Sequence, residues 1–509
     1  MAAIRSSLVT DQFPRLGRII NEALQDGEPL LEVLRGHGIT SAELSRIDIE
    51  ALKPNVSFDP VSPNGPRRQF STATHHRNLT NLVRILQEEL ASHSRRDPER
   101  ILYDPTNDSL RLTYVKDLCV PETASLLVLD ATADHILMEK TLGPINFRRI
   151  DVRQRGFITQ VHDRTGSNIS WNSGEDNIDR LVDVLNVWAE SGEKPLCVAH
   201  KELIKALEAH PQLNESVLLN NFGNLRGSNA AQECSVIFIT GRNQPPLDSV
   251  DLKARALFWD NEIALQHDPA ASINPQEAEN INLGLELKNY LQSDRNTSPQ
   301  SGIYARSYTD PRIERLHGQS REAETTQAIA RLRLVYSKYV KQVFLLSNLP
   351  VEIPVDRYVK FDELLLDRLE VELIKNKNIP LSPTGLLKMR PDLFDTYNAA
   401  KKALHKSHVY LGESLKSVPS LYKASLFTVE FKALNNDRWN THKHLFIADM
   451  GFTERLEDAT GIQLITGSVP LDKWKVLLEQ GAPQIEGSGW GEVRDLKIAD
   501  SNPTPEPDT

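Results

Sequence analysis

Short apolar runs rich in β-branched residues alternate with amphipathic stretches through the middle of this chain, and that alternation limits its folds more than any other feature. Residues 125–129, 148–152, 157–162, 194–199, 217–219, 235–240 and 342–346 read as strands. Between and after them, residues 177–189, 201–209, 249–259 and 322–337 carry apolar side chains at helical spacing. A strand that is apolar along its whole length is buried on both faces, and helical crossovers are what cover it. The expected fold class is therefore α/β, with a mostly parallel, doubly wound sheet and flanking helices.

The flanks follow other rules. Residues 1–118 read as a mainly helical connector: Leu16, Ile19, Ile20 and Leu24 share a helical face, and Thr40 with Glu43 forms a capping box. A Pro/Asn/Gly-rich loop is expected over 54–68, a helix over 76–92, and a hairpin from 101–104 and 109–115. Residues 119–355 form the α/β domain, with one more helix expected at 361–375. Residues 356–494 read as an accessory α+β domain with helices near 393–406 and 471–479 and a hairpin around 425–432 and 444–448. The Asp/Pro/Ser-rich end, 495–509, reads as a disordered tail.

Bulk charge narrows function only a little. The 509 residues carry a net charge of -10, whereas a purely electrostatic nucleic-acid binder is basic. Cys119, Cys197 and Cys234 form no CxxC pair, which points away from a disulfide framework or a zinc site and fits a reducing cytosol. No secretory h-region and no membrane-length apolar run is found, so the expected location is cytoplasmic, without a membrane.

Four segments could carry chemistry. The run Leu127–Asp134, LVLDATAD, would deliver Asp130 and Thr132 to a strand's carboxyl edge, where α/β sheets place ligands; a plain helix N-cap is the simpler reading. In NNFGNLRGSN, Gly223 and Gly227 allow close backbone approach, and Arg226 with Asn229 could meet phosphates; an ordinary polar turn is equally consistent. TGRNQPP sets Arg242 at another strand end. In EAETTQAIARLR, Gln327 and Arg331 share a helical face at i, i+4. A guanidinium fixed there could stabilise charge on a transferring γ-phosphoryl group, and an exposed polar face is the plain alternative.

Taken in order, LVLDATAD, KPLCVAHKEL, NNFGNLRGSN, VIFITGRNQPP and EAETTQAIARLRLVY resemble motifs III to VI of the superfamily 2 helicase core. They are most similar to a phage- and plasmid-associated group of DEAD/DEAH-like helicases, over about residues 120–360. The resemblance implies a second RecA-like domain. Asp130 and Thr132, with Gly227 and Asn229, would then serve nucleotide binding and interdomain coupling. Arg226 and Arg242 would touch nucleic acid, and Gln327, Arg331 and Arg333 would sense the γ-phosphate. The sequence departs from the pattern at Ala330, where the family has Gly, at Arg333, two rather than three residues after Arg331, and at Asp130, where it has Ser or Thr.

A motor of this kind also needs a G-x-x-x-x-G-K-[ST] loop and an acidic pair for Mg²⁺. The loop does not occur, and Asp362-Glu363 opens a helix after the last motif, where a solvated helix start is expected. The chain is therefore expected to be an incomplete or split motor, needing ATP and Mg²⁺ only when a separate chain supplies the phosphate-gripping half. The competing expectation is a non-catalytic nucleic-acid-binding or scaffold subunit of a plasmid or phage replication complex. A phosphatase nucleophile strand is excluded because D-x-D is absent from LVLDATAD, and a serine hydrolase because no G-x-S-x-G occurs. In the accessory region, Lys401 and Lys402 lie in a locally basic stretch with interleaved tyrosines that could contact DNA.

Overall fold

A computed structural model of the chain describes residues 2–48, 65–91, 95–116, 118, 124–150, 152, 154–167, 170–171, 176–224, 230–267, 286–290, 303–351, 353–376, 378–391, 393–410, 424–435, 438–449, 468–469 and 493–500. The chain divides into two compact units, and the division interleaves. One unit is Met1–Ile150, Gln244–Lys288 and Arg306–Ala323; the other is Asp151–Asn243, Asn289–Ala305 and Glu324–Thr509.

In the first unit, β1 (Ala2–Arg5), β2 (Ile101–Asp104) and β3 (Ser109–Leu112) form an antiparallel sheet in the order β1-β3-β2. The expected hairpin is there; β1 was not foreseen, because four residues at the start carry too little pattern. Helices Pro14–Asp26, Leu30–Gly36 and Gly65–Leu90 cover this sheet with Ile20, Leu31, Leu82 and Leu86. The long helix begins at Gly65, so residues 65–68 are helix rather than the expected loop.

A second core in this unit joins helices His135–Leu142 and Leu247–Phe258 to the start of helix Pro311–Ala330, through Leu137, Val250, Phe258, Tyr308 and Ile313. Beside it lies a charged cluster. His267 approaches Asp251 through Nδ1 (2.5 Å) and Glu99 through Nε2 (3.1 Å), while Arg255 donates from Nε to Asp251 (2.7 Å). Burial alone would push His267 down, but its bonds to Asp251 and Glu99 outweigh that and hold the imidazole up at about 9.

The second unit holds the α/β domain that the sequence pattern demands. Its sheet has six parallel strands: β4 (Gly156–Val161), β5 (Pro195–Ala199), β6 (Leu218–Asn221), β7 (Val236–Thr240), β10 (Lys341–Leu346) and β11 (Arg357–Val359). The order across it is β11-β4-β10-β7-β5-β6. Two further strands, β8 (Glu286–Tyr290) and β9 (Ile303–Ser307), pair with each other elsewhere. Period-two alternation splits the buried strand residues between two cores. Cys197, Ala199, Phe238 and Phe344 face helices Asn177–Glu190 and Lys201–Glu208, while Val198, Ile237, Ile239, Val343 and Leu345 face Ala328, Ile329 and Leu332. Phe238 and Phe344 stack at 4.7 Å, and Trp188 packs edge-on to both.

The first core continues into helices Arg368–Asn376, Pro383–Met389 and Tyr397–Tyr410. Strands β12 (Asn378–Pro380), β13 (Ala424–Asn435), β14 (Arg438–Asp449), β15 (Ser468–Val469) and β16 (Val493–Asp500) form a second sheet, ordered β12-β14-β13-β16-β15. The expected hairpin near 425–448 is the β13–β14 pair, twelve residues on each side. The expected helix at 471–479 lies outside the described residues.

Five expectations need correction. Residues 125–129 and 148–150 are not part of any strand, and Leu127 and Leu129 stand 80% and 86% exposed. A strand exists only where a neighbour supplies its ladder, and the described residues supply none here. The helix expected at 322–337 runs instead over Pro311–Ala330, ending before Arg333, whose φ of 55° leaves the helical region. The helix expected at 361–375 breaks into Phe361–Leu364 and Arg368–Asn376 because Asp367 turns back to accept the Leu369 and Glu370 amides. The tail expected to be disordered from Asp495 is part of β16 as far as Asp500, since β13 provides it a paired edge.

Finally, Asp362 does open a helix, as expected, but it is ion-paired rather than solvated. Arg180 donates to it at 2.8 Å and to the Leu365 and Leu366 carbonyls, and Arg164 stands 3.6 Å away. Burial would raise Asp362, yet the Arg180 bond and charge hold it below the ordinary carboxylate range. This acidic residue ties a helix to the sheet domain, which accounts for it without a metal.

Candidate functional site

In an open parallel sheet, ligands meet the carboxyl ends of adjacent strands whose connections leave in opposite directions. Here those strands are β5 and β7: from β5 the chain goes outward to β6, and from β7 inward to β10. Three loops converge at their ends. His200 follows β5, the turn through Phe222 and Gly223 follows β6, and Gly241, Arg242 and Asn243 follow β7.

The backbone there is packed too tightly for side chains. Gly241 has φ +79°, and a Cβ on it would sit 2.4 Å from the Gly166 carbonyl oxygen and 2.9 Å from His200 Nε2. Gly166, at the end of β4's exit loop, has φ +65° and would place its own Cβ 2.5 Å from the Leu346 carbonyl oxygen. Only glycine fits either position. Gln160 closes the same edge from beneath, donating from Nε2 to the Ser347 and Leu349 carbonyls beyond β10.

Glu324 joins two of the loops. Its Oε1 accepts from the Gly223 backbone amide at 2.5 Å, and its Oε2 accepts from the Asn243 side-chain amide. Sequence reasoning missed Glu324, because nothing local distinguishes it from the neighbouring Glu322. His200 lies 5.5 Å from the Phe222 ring, and burial, against the charge of Glu202 and with that of Arg242, pushes its pKa down. At neutral pH it is an uncharged imidazole beside a guanidinium. Such a pair suits an anionic, planar or phosphate-bearing ligand, with Arg242 as the charge and His200 as a neutral hydrogen-bonding group. Among the described residues no cluster of three or more ligating side chains could hold a metal ion.

The expected site residues distribute unevenly around this crevice. Arg242 lies in it. Arg226, Gly227 and Asn229 lie outside the described residues. Gln327 sits one turn beyond Glu324 on the same helix. Arg331 and Arg333 follow the helix end, where Leu332 offers its carbonyl to Lys341 at the start of β10 and Leu334 offers its own to the Arg155 amide before β4. That is the amino-terminal edge of the sheet, so the backbone of both arginines is at the far end from the crevice. Arg331 Nε is buried there with no hydrogen-bond partner.

Asp130 and Thr132 belong to the other unit and do not end a sheet strand. The Thr132 amide and hydroxyl both donate to Asp130 Oδ1, at 2.7 and 3.0 Å, closing an exposed turn. The cap of the following helix is Asp134, which accepts from the Leu137 amide and pairs with Arg315 at 2.7 Å. Lys401 and Lys402 lie on the exposed face of helix Tyr397–Tyr410, whose Ala400, Leu404 and Ser407 face inward.

No family model matches the chain, and neither a curated protein nor a solved structure does. The helicase resemblance therefore rests on the motif order alone. What stands independently is a six-stranded all-parallel sheet flanked by helices, compatible with a RecA-like α/β fold. Among the described residues no helix is long and apolar enough to cross a membrane.

Proposed function

We propose that the α/β unit is the second RecA-like half of a nucleic-acid-dependent NTPase motor whose phosphate-gripping half is supplied by another chain. The observation that carries this reading is the crevice between the ends of β5 and β7, where His200, Gly241, Arg242 and the Glu324-braced loops converge. The order of the five motifs supports it, and two of them, KPLCVAHKEL and VIFITGRNQPP, supply the strands and exits that build the crevice. In this role Arg242 meets nucleic acid or nucleotide phosphate at the sheet edge. ATP and Mg²⁺ enter only with the partner domain, since this sequence contains no G-x-x-x-x-G-K-[ST] loop.

The test is a pair of measurements on the purified chain. Single-stranded DNA should bind with an affinity that falls as salt rises, and Arg242→Ala should weaken it. ATP turnover should stay at background with or without that DNA. Robust DNA-stimulated hydrolysis by this chain alone would overturn the split arrangement. Binding that ignores Arg242, without turnover, would favour a scaffold subunit using the fold as a platform.

A further inference from the structure

The segment that leads into β10, residues 331–341, reads RLRLVYSKYVK and mixes cations with aromatic rings. Between Glu324 and Glu352 the sequence holds no carboxylate at all, while Arg331, Arg333, Lys338 and Lys341 fall within that stretch. Tyr336 is 79% and Tyr339 56% exposed, and Val335 and Val340 beside them are exposed as well. Arg155, Arg331 and Lys338 pair with no carboxylate among the described residues. Further along the same amino-terminal edge of the sheet, Glu193 and Glu233 precede β5 and β7, and Glu233 is tied to Lys194 at 2.8 Å. In a chain of net charge -10 this patch is a local reversal of sign.

The exposure is not fraying, because the segment is braced along its length. Leu332 and Leu334 are buried in one core with Ile329 and Val343. Arg155, just before β4, donates from Nη1 to the Ser337 and Lys338 carbonyls at 3.1 and 3.4 Å. The Ser337 hydroxyl donates to the Tyr339 carbonyl at 2.6 Å and accepts from the Tyr339 amide at 3.3 Å. Arg333 sits at φ +55°, and its carbonyl accepts the Tyr336 amide at 3.0 Å. A left-handed residue other than glycine persists only where its surroundings hold it, and such positions concentrate at functional sites. Lys341 takes a structural part, donating its buried ammonium to the Gln232 and Leu332 carbonyls.

We propose that Arg155 and residues 331–340 form a platform for single-stranded nucleic acid. Unpaired bases stack on Tyr336 and Tyr339, and the phosphates between them meet Arg155, Arg331 and Lys338. Charge complementarity selects a polyanion, and free aromatic rings select one whose flat bases are not already stacked inside a duplex. A second copy of this chain fits less well, because a twofold contact would set these cations against themselves. The platform lies at the edge of the sheet opposite the crevice described above. It is read from its own chemistry, and the motor reading neither supplies nor requires it.

The experiment titrates the purified full chain with a fluorescein-labelled oligothymidylate of about 15 nucleotides, and with a duplex of equal length, over a range of salt. The single strand should bind more tightly than the duplex. Tyr336→Ala should weaken it at least about fivefold, and Tyr336→Phe, which keeps the ring, should stay within about twofold of the parent. Lys338→Gln should lower the salt slope by about 0.7, the share of one phosphate on a single strand. Both side chains are exposed, so melting curves of these variants should match the parent's. No binding, a preference for duplex, or a Tyr336→Ala affinity within about twofold of the parent overturns the proposal. So does displacement by poly-glutamate as efficient as by unlabelled oligothymidylate, or a change of oligomeric state in Tyr336→Ala. Arg242→Ala, run alongside, separates the two surfaces. Loss through Arg242 alone sinks the platform and leaves the crevice reading; loss through Tyr336 and Lys338 alone keeps the platform and removes Arg242 from the interface.

Discussion

Replacing His267 with Gln removes an imidazole that bonds both Asp251 and Glu99, the two carboxylates Arg255 also pairs with, and its effect must depend on pH. The folded protein holds this imidazole at about 9, against about 6.5 in an unfolded chain. A pKa raised on folding contributes stability that is fully present below pH 6.5 and is lost as pH rises through 9. The full difference corresponds to roughly 3 kcal/mol. Because the His267 side chain remains 24% exposed, screening reduces this to about 2 kcal/mol. Urea unfolding of both proteins, followed by amide exchange in helix Leu247–Phe258, measures it. His267→Gln should be less stable by that amount at pH 6, and the gap should close by pH 10. A gap that is constant across this range, or absent at pH 6, refutes the reasoning.

Other perturbations read the remaining features. Gly241→Ala combines a left-handed backbone with a Cβ 2.4 Å from the Gly166 oxygen, and should cost about 2–4 kcal/mol in thermal unfolding. Gly192→Ala, at φ +85° with open space around it, should cost only about 1 kcal/mol; equal losses would mean the sheet edge relaxes freely. Arg180→Ala should destabilise by about 1–3 kcal/mol at pH 7. Because Asp362 is held below its ordinary value, the stability it contributes is present above that value and lost as pH falls through the folded one. The Arg180→Ala gap should therefore narrow on acidification, and a gap that widens would assign Asp362 another partner. Charge reversal at Lys401 and Lys402 should weaken DNA binding and flatten its salt dependence; no change in a salt-matched titration removes that helix from the interface.

How legible the chain was depended on whether the deciding interaction was local. Strands β5, β7 and β10 could be read directly, since a run such as Val236–Thr240 satisfies burial on both faces by composition alone. Residues 125–129 carry the same signal and form no ladder, because pairing depends on a neighbour that no run of side chains encodes. β16 was missed for the converse reason: Arg494, Asp495 and Lys497 dilute its pattern, and β13 supplies the order. At the site, Arg242 was visible because a strand end and a glycine mark it. Glu324 was not, since its importance arises from Gly223 and Asn243, 101 and 81 residues away in the chain. Asp362 was misjudged because Arg180 lies 182 residues upstream.

The interleaved first unit has a consequence for how the protein is made. Leu137 emerges from the ribosome long before Val250, Phe258 and Ile313, the residues it packs against. Ile313 follows roughly 175 residues later, a delay on the order of 10–35 s at ~5–20 residues per second. Throughout that interval Leu137 lacks the core of Val250, Phe258 and Ile313 that buries it in the finished fold. A nascent chain stalled there would leave Leu137 uncovered, so the order of synthesis makes this core one that a chaperone has time to shield.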